Sequence, residues 1–299
     1  MNEYLRRWAT AFVLLATVAI GLQFEFSSYG LANVVLIIGL LEYWDMHKKI
    51  LNNFYPKLVK VNSEFVKYSS IPQWLILFGF TYLTRWDTFL LVLALIIILL
   101  ITWMVRIVQA SSIIGKLDEN KEGFTILSCS LSSIMLEIIA IWLFGFWMSL
   151  YWILYLSNGK LVFVGLWLVF QTDHGALVIG SKFGKNSINQ FFHHKTYEGV
   201  FGGFLFSFIS ALGMKLEAAF LIKVFYPNSL TLTDYAIIGL CVPLFSILGD
   251  LFESFLKRWA KVSNSGSLLP GHGGMFDRID SVLMSAPFLY YYNVLVLQS

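Results

Sequence analysis

Residues 124–156 contain one charged side chain, Glu137, in an otherwise apolar run that is longer than a single bilayer crossing at about 20 residues per span. Similar runs recur at 8–22, 29–44, 71–84, 88–105, 161–170, 200–225, 232–248 and 281–297. Hydrocarbon offers a backbone no partner for its N–H and C=O groups, so each run has to close its own hydrogen bonds as a helix. The reading is an all-α polytopic membrane protein with about nine transmembrane helices. Residues 124–156 form one tilted or broken span, because the next polar break comes only at 157–160. Composition agrees: 58% of residues are hydrophobic, 13% are charged, and mean hydropathy is +0.71. Soluble domains carry about 25% charge.

The cations fix an expected orientation. Arg6-Arg7 precede the first run, and no small-residue cleavage site follows it, so an uncleaved first span is preferred over a signal peptide. Residues 45–70 form a basic amphipathic connection bearing Lys48, Lys49, Lys57, Lys60 and Lys67, suited to lie on headgroups. With the N-terminus in the cytoplasm, the inner segments hold 17 of the 21 Lys and Arg residues, as the positive-inside rule requires. Residues 1–123 read as N-terminal membrane helices with basic loops. Residues 124–299 read as membrane helices with the more polar cytoplasmic loops, within one integral membrane domain. Net charge is only +3 and no basic tail suggests nucleic acid. Cys129 and Cys241 lie in apolar runs and form no C-x-x-C pair. His193-His194 point to different sides of any helix or strand, so zinc is disfavoured.

The unusual stretch is 249–280, where charges, glycines and Pro270 crowd between apolar runs. A helix continuing through Lys261 places Asp250, Glu253, Ser254, Lys257, Arg258 and Lys261 on one stripe, with Leu251, Phe252, Phe255, Leu256, Trp259 and Val262 opposite. Pro270-Gly271 breaks the chain, and Gly273-Gly274 allows a ligand close to the backbone. Asp277, Arg278 and Asp280 then enter the last run, where a helix start favours anions. Acids for a hard cation, bases for phosphate and a glycine turn are the parts of nucleotidyl transfer. A charged cytoplasmic loop would show the same composition.

The order of residues is more specific. Ser254-x-x-Lys257-Arg258, followed by Leu269-Pro270-Gly271-His272-Gly273-Gly274-x-x-Asp277-Arg278-x-Asp280, resembles the signature of the CDP-diglyceride synthetases, or phosphatidate cytidylyltransferases. Asp173-x-Gly175-Ala176, Phe183-Gly184-Lys185 and Lys195-Thr196-Tyr197-Glu198-Gly199-x-x-Gly202-Gly203 are similar to that family's second region, and Glu42-Tyr43-Trp44 is a weaker echo. The chain departs from the pattern at Leu177, at Phe192-His193 and at Ser263-Asn264, where the family has Lys-Asp.

The resemblance implies a Mg²⁺-dependent enzyme that turns CTP and phosphatidate into CDP-diacylglycerol and pyrophosphate in phospholipid biosynthesis. It gives the metal to Asp250 and Asp277, with Asp280 beside them, Glu253 as inner or outer acid, and K⁺ admitted to the same site. The alternative for Asp250 and Asp277 is a buried carboxylate paired with Lys257 or Arg258. Catalytic positions are then Asp250, Asp277, Lys257 and Arg258. Substrate-binding positions are Asp173, Lys195, Glu198, Ser254, His272, Gly273, Gly274 and Arg278. Lys195 and Glu198 either reach the nucleotide or pair with each other. Expected partners are membrane lipids and a second copy in a homodimer, and the expected location is a bacterial plasma membrane with the site facing the cytoplasm. Two alternatives stand beside this: a family member with altered transfer chemistry, and a transporter using Asp173, Glu137, Lys215 and Glu217 as an intramembrane relay.

Overall fold

A computed structural model describes residues 25–54, 123–140, 143–144, 148–188, 195–217, 230–269 and 273–298. Among these the chain forms six α-helices and no strand: α1 Glu25–Phe54, α2 Gly123–Ala140, α3 Met148–Phe183, α4 Tyr197–Glu217, α5 Leu232–Ala260 and α6 Phe276–Tyr292, closed by a π-turn at Asn293–Leu297. Three helical stretches are long and apolar enough to cross a membrane: Leu150–Phe183, Tyr197–Lys215 and Leu232–Ala260. The expected spans at 8–22, 71–84 and 88–105, and most of the basic connection, lie outside the described residues.

Two compact units emerge, Met1–Ser149 with Leu256–Asp277, and Leu150–Phe255 with Arg278–Ser299. In the first, α1 buries Leu36, Leu40, Tyr43, His47 and Ile50, which recur at helical spacing. This stripe meets α2 through Ser133, Leu136, Glu137 and Ala140, all buried. The Tyr43 hydroxyl donates to the Leu136 carbonyl at 2.6 Å, which satisfies a phenol that would otherwise be costly to bury. Its ring meets Phe144 and Phe276 edge-on at 5.7 and 5.9 Å.

In the second unit, small residues set the helix spacing. A Cβ on Gly175 of α3 would fall 2.5 Å from the Gly202 carbonyl of α4, and one on Gly239 of α5 would fall 2.7 Å from Ala211 of α4. A Cβ on Gly249 of α5 would fall 2.6 Å from the Asp280 carbonyl of α6. Such seams let backbones approach where no hydrophobic force separates helix from lipid. Polar bonds fix the register: Trp167 donates to Ser210 at 2.8 Å, and Ser281 to the Ser246 carbonyl at 3.0 Å. Outward positions are apolar, with Tyr197, Phe201, Leu205 and Ile209 forming an exposed stripe along α4.

Three expectations change in detail. The 124–156 run is divided between α2, ending at Ala140, and α3, beginning at Met148. The break expected at 157–160 is a kink inside α3 at Asn158 (φ −152°, ψ 71°). The Asn158 side chain accepts from the Leu161 amide at 3.2 Å and donates to Asn293 at 3.1 Å, so the interrupted ladder is partly satisfied by side chains. Finally, α5 stops at Ala260 instead of running through Lys261. Lys261 adopts φ 55°, and the Val262 amide bonds back to the Lys257 carbonyl at 3.0 Å, a left-handed helix stop without its usual glycine. The buried positions on this stretch of α5 come from both stripes: Glu253, Leu256 and Ala260 are buried, while Phe255 and Trp259 are exposed.

Candidate functional site

Helix starts place the first set of groups. Thr196 caps α4, its hydroxyl accepting from the Gly199 amide at 3.1 Å, and leaves Lys195 just outside the helix. The Lys195 ammonium meets the Asp250 carboxylate at 2.6 Å and the Asp250 carbonyl at 2.7 Å. Glu198 does not pair with Lys195. Its carboxylate accepts from the Lys185 and Asn186 amides at 3.2 and 3.3 Å and from the Asn186 side chain at 2.9 Å, shaping the turn after α3.

Around Asp250 the second unit assembles a group of acids. Gly249, having no side chain, lets α5 rest against α6 at the Asp280 backbone, and Glu253 follows Asp250 by one turn. One carboxylate oxygen from each of Asp250, Glu253 and Asp280 lies within 4.8 Å of the others. Glu253 and Asp280 are only 1% and 7% exposed, whereas the Asp250 side chain is 45% exposed. Three like charges so close, two of them withdrawn from water, repel unless a cation or proton intervenes. All-oxygen donors of this kind suit a hard divalent ion. Asp173 on α3 is exposed at the same unit, within electrostatic range of Asp250, Arg278 and Lys195.

The first unit builds a different arrangement around Asp277, the second residue of α6. One carboxylate oxygen accepts from Lys257 at 2.7 Å. The other accepts from the Ser265 amide at 2.9 Å and the Gly274 amide at 2.8 Å, and the Ser265 hydroxyl, whose single proton can serve either Asp277 or Glu42, lies 2.9 Å away. The pair is enclosed, its side chains being 16% exposed for Lys257 and 6% for Asp277. Gly273 has φ +81°, a left-handed backbone at which a Cβ would lie 2.6 Å from Asp277 Oδ2. Arg258 is exposed on the last turn of α5, and Asn264 is exposed beside Gly273.

The structure brings together Asp250, Glu253 and Asp280. Asp277 takes the ion-pair alternative with Lys257, and it belongs to the other unit from Asp250. Ser254 is part-exposed on α5, Arg278 is exposed on α6, and His272 lies outside the described residues. Lys215, weighed as part of a relay, instead donates to the Leu230 carbonyl at 2.6 Å and lies over Tyr235. Sequence reasoning underrated Glu42. This buried acid of α1 accepts from the Phe276 amide at 2.9 Å and the Ser265 hydroxyl at 3.0 Å. Its signal was the carboxylate within an apolar run.

The chain is similar in sequence to known proteins. A phosphatidate cytidylyltransferase of Bacillus subtilis is 37% identical over 131 residues, 44% of this chain and 46% of the relative. Namesakes from Haemophilus influenzae and Thermotoga maritima are 37% and 38% identical over 135 residues each, 44% and 48% of those relatives. The chain thus spans less than half the length of the curated relatives it matches. The model of the Cytidylyltransferase family is wider, matching residues 5–296, which takes in α1 with Glu42, the acids of α5 and α6, and the loop between them. On that match over nearly its whole length, the chain belongs to the cytidylyltransferase family.

Proposed function

We propose that this chain is a phosphatidate cytidylyltransferase, joining CTP and phosphatidate to give CDP-diacylglycerol and pyrophosphate. The observation that carries the reading is the convergence of Asp250, Glu253 and Asp280, with Lys195 beside them, in a chain of this family. The relatives' name supports the choice of substrates.

In this reading an oxygen of the lipid phosphate forms a bond to the α-phosphorus of CTP while the bond to the β-phosphate oxygen breaks, and pyrophosphate leaves. Asp250 and Asp280, with Glu253, would hold Mg²⁺, which when bound supplies charge neutralisation for the phosphoryl oxygens; K⁺ would enter as a companion ion. Lys195 holds Asp250 in place by a bond to its carboxylate and another to its carbonyl. Arg258 and Arg278 offer guanidinium groups for phosphate oxygens, a two-point contact that lysine cannot supply. Lys257 keeps Asp277 oriented at the head of α6. No covalent enzyme intermediate is needed. Around this chemistry we propose nine spans with a cytoplasmic N-terminus, in a bacterial plasma membrane, with the site on the cytoplasmic side.

The test is purified protein incubated with labelled CTP, phosphatidate and Mg²⁺. Labelled CDP-diacylglycerol should form, should cease when EDTA removes the metal, and should form about a thousandfold more slowly with Asp250→Ala. A wild-type protein that forms no labelled lipid under these conditions sinks the proposal.

A further inference from the structure

Glu42 stands in the α1 stripe that packs the first unit, 9% exposed among Leu40, Tyr43 and Trp44. A carboxylate withdrawn from water costs stability unless hydrogen bonds replace its hydration. The replacements come from far along the chain. Phe276 N–H and the Ser265 hydroxyl, 234 and 223 residues away, both donate to Oε2. The loop is also shaped around this acid, since a Cβ on either Gly266 or Gly274 would collide with the Glu42 carboxylate. Through its backbone amide Ser265 in turn holds Asp277, and Phe276 is its neighbour. Tyr43 packs against Phe276 and is itself tethered to α2.

We infer that Glu42 is a positioning residue: from α1 it clamps the loop between α5 and α6 so that Asp277 and Lys257 keep their places. It touches neither substrate nor metal and acts through Ser265 and Phe276. This rests on reading that loop as part of the transferase, but the clamp itself can be measured without turnover. Because both bonds fall on one oxygen, a glutamine carbonyl can accept both, whereas alanine accepts neither.

The experiment compares wild type, Glu42→Ala and Glu42→Gln by amide hydrogen exchange and by kinetics. In Glu42→Ala, exchange across 265–277 should rise at least about tenfold. Its kcat should fall roughly 10- to 100-fold, the usual effect of losing an outer partner, while KM for phosphatidate stays within about twofold. Glu42→Gln should recover both readouts to within about threefold of wild type. Unchanged exchange in Glu42→Ala overturns the clamp. So does a Glu42→Gln as damaged as Glu42→Ala, because the carboxylate would then act through its charge. If the alanine chain does not fold, Glu42→Asp, one methylene short of both donors, takes its place: raised exchange across 265–277 supports the clamp, and unchanged exchange overturns it. A wild type with no turnover would count against the transferase reading alone, and exchange would still decide on Glu42.

Discussion

Two carboxylates of the same signature, Asp250 and Asp277, sit in opposite circumstances. Asp277 is enclosed, with a lysine on one oxygen and two backbone N–H donors on the other. Asp250 also has a lysine, Lys195 at 2.6 Å, but it is nearly half exposed and shares its surroundings with two further acids. Saturation by protein donors makes an acid a fastener for its own loop, whereas crowding with like charge makes a place that gains stability when a cation arrives. Glycine serves both, but differently. Gly249 brings two helices of acids together, while Gly266, Gly273 and Gly274 leave room for the carboxylates of Glu42 and Asp277.

That contrast can be broken by substitution. Asp250→Ala should lower labelled CDP-diacylglycerol formation about a thousandfold, the equivalent of several kcal/mol of lost charge stabilisation. If more than a tenth of the rate survives, the crowded acids are not the metal centre. Asp277→Asn keeps an oxygen for the Ser265 and Gly274 amides and loses the ion pair, so roughly a 10- to 100-fold loss is expected. A loss as deep as that of Asp250→Ala would make Asp277 a ligand in its own right. Gly249→Ala, which forces α5 away from the Asp280 backbone, should raise the Mg²⁺ concentration for half-maximal rate severalfold, read from a metal titration. Gly274→Ala should reduce stability by about 1–3 kcal/mol in detergent unfolding, as overpacking does. Gly213→Ala, whose Cβ would meet nothing within 4 Å, is its control and should be neutral or slightly stabilising. Least of all, Asn264→Asp should move stability by no more than about 0.5 kcal/mol, as exposed substitutions do. A clear rise in its turnover would extend the site's electrostatics to that position.

Much of this was legible from residue order. Apolar runs located α4, the first part of α5 and α6, because a chain in hydrocarbon has few options besides the helix. The motif spacing picked out Asp250, Lys257, Asp277 and Asp280. Periodicity gave α5 two sides but not which positions would be covered: Glu253 and Leu256, one from each side, are buried, whereas Phe255 and Trp259 are exposed. The stop at Lys261 was hidden because a lysine there takes the left-handed turn normally left to glycine. Glu42 was hardest, as no local pattern announces a bond to a partner more than two hundred positions away.

The kinked helix α3 has a last consequence. Its 36 residues would measure about 54 Å if straight, against roughly 30 Å of acyl-chain thickness. Bending at Asn158 absorbs some of the excess, and the remainder has to project into water. A thiol introduced by Ser181→Cys, near that end and already exposed, is thus placed to react with an impermeant maleimide added to sealed vesicles of known sidedness, reporting which compartment the turn at 184–188 faces.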